Sequence, residues 1–510
     1  MRIKLFLLSA VLMLFILGPV SVFADSDIPN WVKQVAEYWI AEQIDDEGFV
    51  QVIEYLVEQE IIAIPYAESP QGDSTTTIPS WIKTNSEFWV NGGITDDEFA
   101  VGIEWLINNG VVKISIEGDN TTESITTTPE NIPGLSGEVT IGLILPLTGD
   151  LATHGIENYE GSKFGVEEFN KYLVEIDAPW HLKMISEDSA TNPVIALEKL
   201  SVLNAKGVGV VVGPETSSNI RNIKGYSDSN NMLLISCCSS APALAIPNDS
   251  VFRLVPDDRN QGTAIAQLMR HEGIEVLVPV WRGDTWGDGL SNAATSSFEK
   301  RGGQVADGIR YNPESPEFSA STSLLASTVQ KNIDKHGTDK VAVLFLGFAE
   351  VLQFMQSASE HDSLDDVRWF GPGANTKEHK LIDDPIGFDF STSVQFTTVQ
   401  FAASKNPTYE KVQAHLTETL GTDPNTFVHS SYDVVWLIGL TMLETQSTDV
   451  SVIKAKIPEI SESYSGAIGP TKLNEAGDLA QADYEIWGIR GDHWVALGKY
   501  TQSDDSISLN

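Results

Sequence analysis

The sequence predicts an α/β protein of two lobes, each a parallel sheet covered by helices, preceded by two α-helical hairpins. Three observations carry that prediction. From residue 138 onward, short β-branched runs alternate with stretches of helical apolar spacing, the pattern of parallel strands joined by helical crossovers. That part of the chain, about 360 residues, exceeds one comfortable doubly wound domain, so it divides into two lobes. Ahead of it, the sequence repeats itself at an offset of fifty residues: IPNWVK at 28 returns as IPSWIK at 78, Trp39 as Trp89, Phe49 as Phe99 and Leu56 as Leu106.

Residues 1–24 carry Arg2 and Lys4, an apolar run and a VFA sequence before Asp25, which reads as a signal peptide for export; left uncleaved, the same run would tether the protein to a membrane. No cysteine follows the run, which excludes a bacterial-type lipid anchor. The repeats occupy 25–66 and 78–116. In each, a proline stands near a helix start, an apolar stripe such as Trp31, Val35 and Trp39 recurs on one face, and an acidic cluster opens a second helix. That stripe reads as core, and the hairpins as spacers or surface attachments. Residues 117–137, rich in Thr, Ser, Pro and Gly, form a linker that cannot build a core.

In the α/β region, 139–146 reads as a buried strand, 158–172 as a helix, 181–188 as a strand, 193–205 as a helix and 208–212 as a strand. Further strands are expected at 275–280, 341–346 and 367–370. The first lobe is assigned to about 138–255 and 392–463, the second to about 256–391 and 464–500, so that three crossovers form the hinge.

The balance of 32 Lys+Arg against 71 Asp+Glu gives a net charge of −39. That excludes nucleic acid and anionic membrane surfaces as electrostatic partners. The two cysteines, Cys237 and Cys238, are adjacent and cannot staple distant segments; two buried thiols are expected ahead of a vicinal disulfide. Phosphate-loop, zinc-helix and nucleophile-elbow patterns are absent, so no catalytic residue, metal or cofactor is assigned. GVGVVVG at 207–213 is no dinucleotide fingerprint, because its first glycines precede the strand instead of following it into a helix. What stands out is where two strands end. GPETSS at 213–218 and SCCSSAP at 236–242 follow β-branched runs with hydroxyls and free backbone N–H groups, and ligands of open α/β sheets bind beyond the carboxyl ends of strands.

Seven runs fall in one order: LPLTG at 145 with His154 and Gly155, GPETSS at 213, SCCSSAP at 236, FRLVPDDRNQG at 252, DTWGDG at 284, SYDVV at 431 and GPTKLNEAGD at 469. In these the chain resembles the branched-chain amino-acid type of periplasmic binding protein, the extracellular receptors of ABC importers. The hairpins resemble the Trp-rich repeats of secreted archaeal proteins. The resemblance implies the two-lobe type I fold and no enzymatic activity. It further implies capture of a small carboxylate- or amide-bearing solute, amino-acid-like, urea-like or an organic acid, and its delivery to a membrane permease. The same module also serves in ligand sensors acting through a separate partner. The two strand-end loops offer the hydroxyls of Thr216, Ser217, Ser218, Ser239 and Ser240 to a carboxylate; by position, the resemblance places Ser218 and Ser240 at the ligand carboxylate, the Cys238 carbonyl at its amine, and His154, Trp286, Phe348 and Asn375 around the cleft. Relatives carry an acid where Gly373 stands, which predicts a ligand whose remainder is uncharged.

Overall fold

The computed structural model describes residues 30–40, single positions between 44 and 111, and all of 134–510. The expected signal peptide, most of the linker and the Trp31 side chain lie outside the described residues. Two units result, residues 1–130 and 131–510.

In the first unit, helix α1 (Asn30–Ile40) begins the first hairpin. The duplication appears as a repeated contact: Trp39 stacks on Phe49 with centroids 4.0 Å apart, and Trp89 on Phe99 at 3.7 Å. The copies also exchange cations. Lys33 lies over Trp89 and Lys83 over Trp39, while Val32, Ala36, Ile53, Ile82, Ile103 and Leu106 close one shared core. The aromatic stripe is therefore packing.

The second unit is built on two main sheets. Its first sheet holds β1 (Gly137–Leu145), β2 (Trp180–Asp188), β3 (Val210–Val212), β4 (Leu233–Ser236) and β5 (Val251–Arg253), all parallel, in the order β2-β1-β3-β4-β5. Strand alternation separates two cores. Ile141, Leu143, Val210, Val212, Leu233 and Ile235 meet Phe169 of helix α2 (Ala152–Glu175) and Leu437 of the helix Phe427–Thr445. Ile144, Val211 and Leu234 meet Leu200 of α3 (Pro193–Ala205) and Ile220 of α4 (Ser217–Ser229) on the other face.

The second sheet is built around β6 (Val276–Arg282), β9 (Val341–Leu346), β10 (Arg368–Pro372) and β11 (Thr397–Phe401), which run parallel, with the short strands β7 (Gln304–Val305) and β8 (Ile309–Tyr311) paired to β6. The strands Tyr484–Arg490, His493–Thr501 and Ser506–Leu509 extend it antiparallel. Helices α5 (Asp258–His271) and α6 (Thr285–Lys300) cover the face bearing Leu277 and Leu344. Val278, Val343 and Phe345 form a separate core on the opposite face.

Two boundaries differ from the sequence reading. The strand Thr397–Phe401 pairs with β10, so the second lobe continues past residue 392. Residues 465–478 stay with the first lobe: Asp433 accepts hydrogen bonds from the Ala467 and Ile468 N–H groups and from the Tyr464 hydroxyl, and Asp478 pairs with Arg253. The chain still crosses between lobes three times, after β5, after β11 and before Tyr484.

Candidate ligand-binding site

A cavity of about 470 Å³, counting the space at its mouth, lies between the lobes. From the first lobe it is lined by Leu151 and His154 of the α2 segment, by Glu215, Thr216 and Ser217 after β3, and by Cys238, Ser239 and Ser240 after β4. Gln261, Trp286, Phe348 and Ala374 face them from the second lobe, and Phe427 completes the wall. The strand-end placement expected from the sequence is thus realised.

Gly213 makes the first loop possible. Its φ is +98°, and a Cβ there would come within 2.2 Å of the Ile144 carbonyl oxygen, so the turn can lie against the end of β1 only as glycine. The loop then enters α4, where Thr216 caps the helix by accepting from the Asn219 N–H. After β4, the Ser236 hydroxyl accepts from the N–H groups of both Cys238 and Ser239 and donates to the Pro214 carbonyl, tying the two loops together. That turn brings the adjacent sulfurs into a bond. Cys237 and Cys238 form a disulfide, and the expectation of two thiols is corrected.

The serines divide by role. The Ser217 hydroxyl accepts from the Ala241 N–H and bonds the Ser239 hydroxyl, so both are largely spent on holding the loops. Ser218 is half-buried and its side chain is outside the cavity lining. Among the described residues, the backbone N–H groups of Ser217, Ser218 and Ser240 have no acceptor. Two belong to the first turn of α4, where the helix dipole adds to them. The unused donors of Ser217 and Ser240, both on residues that line the polar pocket, form a cradle for a carboxylate.

Across the cleft, Phe348 and Trp286 stack at 4.7 Å, both buried. The Arg282 guanidinium lies 3.8 Å from the Phe348 ring centroid on a network of its own: Nη1 donates to Glu350, Nε to Asp284, and the Tyr311 hydroxyl also donates to Glu350. Glu350 in turn accepts from the Phe348 N–H. Asn375 is fully buried and does not line the cavity. Its amide donates to the carbonyls of Gly347 and Phe348, so it fixes the aromatic wall from behind.

Glu215 escaped sequence reasoning. It is 5% exposed, and its Oε2 accepts from Asn158 Nδ2 at 3.0 Å. Burial pushes its carboxyl up to about 7, against the opposing pull of His154 and the Asn158 hydrogen bond. An acid between Pro214 and Thr216 reads as a solvated turn residue; the signal that could have found it is its place at a strand end inside an otherwise uncharged, hydroxyl-rich loop. Gly373 is likewise explained. A Cβ there would meet Gln261 Nε2 and the Gln400 backbone at 3.2 Å, so Gln261 and β11 fill the space an acid would need.

Behind the site, Arg253 and Asp478 form a fully buried two-pronged ion pair of 2.5 and 2.7 Å. Arg253 also donates to the Ala241 and Ser239 carbonyls, so the pair anchors the second ligand loop.

Residues 161–492, more than half of the chain, match the family model described as the receptor family ligand binding region. The chain belongs to that family. An uncharacterized protein of Methanocaldococcus jannaschii is 27% identical over 388 residues, covering 72% of this chain and 91% of the relative. The Leu/Ile/Val-binding protein homolog 3 of Brucella melitensis is 23% identical, over 69% of this chain and 91% of its own length. Among solved structures, the leucine-binding protein LivK of Thermotoga maritima superposes with a TM-score of 0.63 at 20% identity, over 72% of this chain and 99% of that one. A solute-binding protein of R. palustris in complex with benzoate gives 0.58 at 18%, over 71% and 96%. These likenesses establish the type I fold of this family member.

Proposed function

We propose that this protein is an exported solute receptor that closes its lobes on a small carboxylate- or amide-bearing molecule and delivers it to an ABC permease. The observation that carries this reading is the cradle of unused N–H groups at Ser217 and Ser240, opposite the Trp286–Phe348 wall in an interlobe cavity. Donors fix one charged end, apolar rings exclude water from the remainder, and closure brings the halves together. Similarity to leucine-binding and benzoate-binding receptors supports a carboxylate at the donor end, since both named ligands carry one. A solute handed on to a permease needs only reversible binding, which donors at one end and apolar rings at the other supply.

The test is mass spectrometry of small molecules released from gently purified protein, followed by calorimetry with those identified. A retained carboxylate or amide that rebinds at micromolar concentration supports the reading. Absence of any retained solute, together with no thermal stabilisation by amino acids, amides or organic acids, rejects it.

A further inference from the structure

We propose that Glu215 receives a protonated amino group of the bound solute, so that the ligand carries an ammonium close to its carboxylate. This rests on the receptor reading above and narrows its solute to an amine-bearing acid.

Four observations converge. Glu215 is the one carboxylate among the described residues lining the cavity, and no lysine or arginine lines it. A carboxylate buried to this degree is strongly disfavoured without a countercharge; the His154 ring acts on it from nearby, and the one side chain that donates to it among the described residues is the neutral Asn158 amide. Asn158 binds Oε2, and among the described residues Oε1 has no donor. Gln261 adds a second acceptor: its Nε2 donates to the Val399 carbonyl, leaving its own Oε1 without a partner at the cavity wall.

Position then sets the ligand's shape. Glu215 stands two residues before the Ser217 N–H of the carboxylate cradle, so acceptor and donor sets share one short loop. A ligand engaging both carries amine and carboxylate on the same or neighbouring carbons. The acid absent at Gly373 in the second lobe is thereby replaced from the first. The expectation of an uncharged remainder, drawn from Gly373, left this group out.

The experiment uses the full chain and the Glu215→Gln variant. Both are screened by thermal shift and calorimetry against the common amino acids, the same molecules without their amine (4-methylpentanoate for leucine), benzoate and simple dicarboxylates. Expected is stabilisation by one or more amino acids and none by the deaminated partner, with Glu215→Gln losing at least about 30-fold in affinity, as truncation of a buried charge pair does, while its unliganded melting temperature is kept or raised. The proposal is overturned, with the receptor reading intact, if a deaminated acid binds as tightly as its amino acid, if Glu215→Gln binds the amino acid unchanged, or if a dicarboxylate is the preferred ligand, Glu215 then acting as a protonated donor. Failure of every compound to bind either protein overturns both.

Discussion

Replacing Glu215 by Gln tests the electrostatics of the cavity without any ligand. Glutamine keeps the shape and can still accept from Asn158, but it carries no charge. The wild-type carboxyl titrates at about 7 in the fold, against 4.5 for the ordinary group. Because the folded value is raised, the folded state holds the proton more tightly, and the stability this confers is complete below about 4.5. It is lost as the pH rises, first while the unfolded chain ionises and until the folded carboxyl itself ionises near 7. At roughly 1.36 kcal/mol per pH unit, the gap makes ionised Glu215 a burden of about 3 kcal/mol at pH 8 and about 1 kcal/mol at pH 5. Glu215→Gln removes that burden, so its advantage in urea unfolding should grow by about 2 kcal/mol between those pH values. His154 and Glu157, the titratable groups that act on Glu215, remain in both proteins, and the difference isolates Glu215. A stability difference that does not change with pH, or a wild type more stable than the variant at pH 8, refutes the argument.

Two further outcomes follow from the loops. Asp478→Ala strands the fully buried Arg253 guanidinium without its carboxylate and should cost about 3 to 5 kcal/mol; a double variant, Arg253→Met with Asp478→Leu, should recover most of it in urea unfolding, and equal losses in both proteins would count against the ion pair. Ser240→Ala should weaken the solute identified by the screen by roughly 1 to 2 kcal/mol, about 5- to 30-fold. Ser218→Ala should stay within about twofold, because Ser218 offers its N–H and not its hydroxyl; calorimetry showing the two equally weakened would move the Ser218 side chain into the cavity.

The strands were legible wherever burial on both faces forced an unbroken apolar run, as at Ile141–Leu145 and Val341–Leu346, where every position but Gly142 and Ala342 is a large apolar residue. The boundary near 392 was misplaced for the converse reason. In β11, Thr397, Thr398 and Gln400 are buried within a central strand, so polarity concealed a strand that packing requires. The disulfide was not legible either, since adjacent cysteines read alike as thiols or as a bond until the turn around Ser236 is known.

Residues read as one motif turn out to do two physically different things. In the ordered runs, Arg253, Asp433 and Asp478 line no part of the cavity: each is a buried polar group whose partners close a loop or clamp a crossover. Such groups tolerate little change, because losing one partner leaves the other unpaired in a dry interior. They therefore mark the fold and carry no information about the ligand. Ligand chemistry lies at the cavity itself: an acid at Glu215, a glycine at Gly373 with Gln261 in its space, and a phenylalanine at Phe348 held by Arg282. Of these, Gly373 could be read from the sequence as a departure, but Glu215 could not. Its meaning depends on Asn158, fifty-seven residues away, and on the cavity that closes over both. A pattern match finds where a ligand sits; the charge it must bring follows from which buried group still lacks a partner.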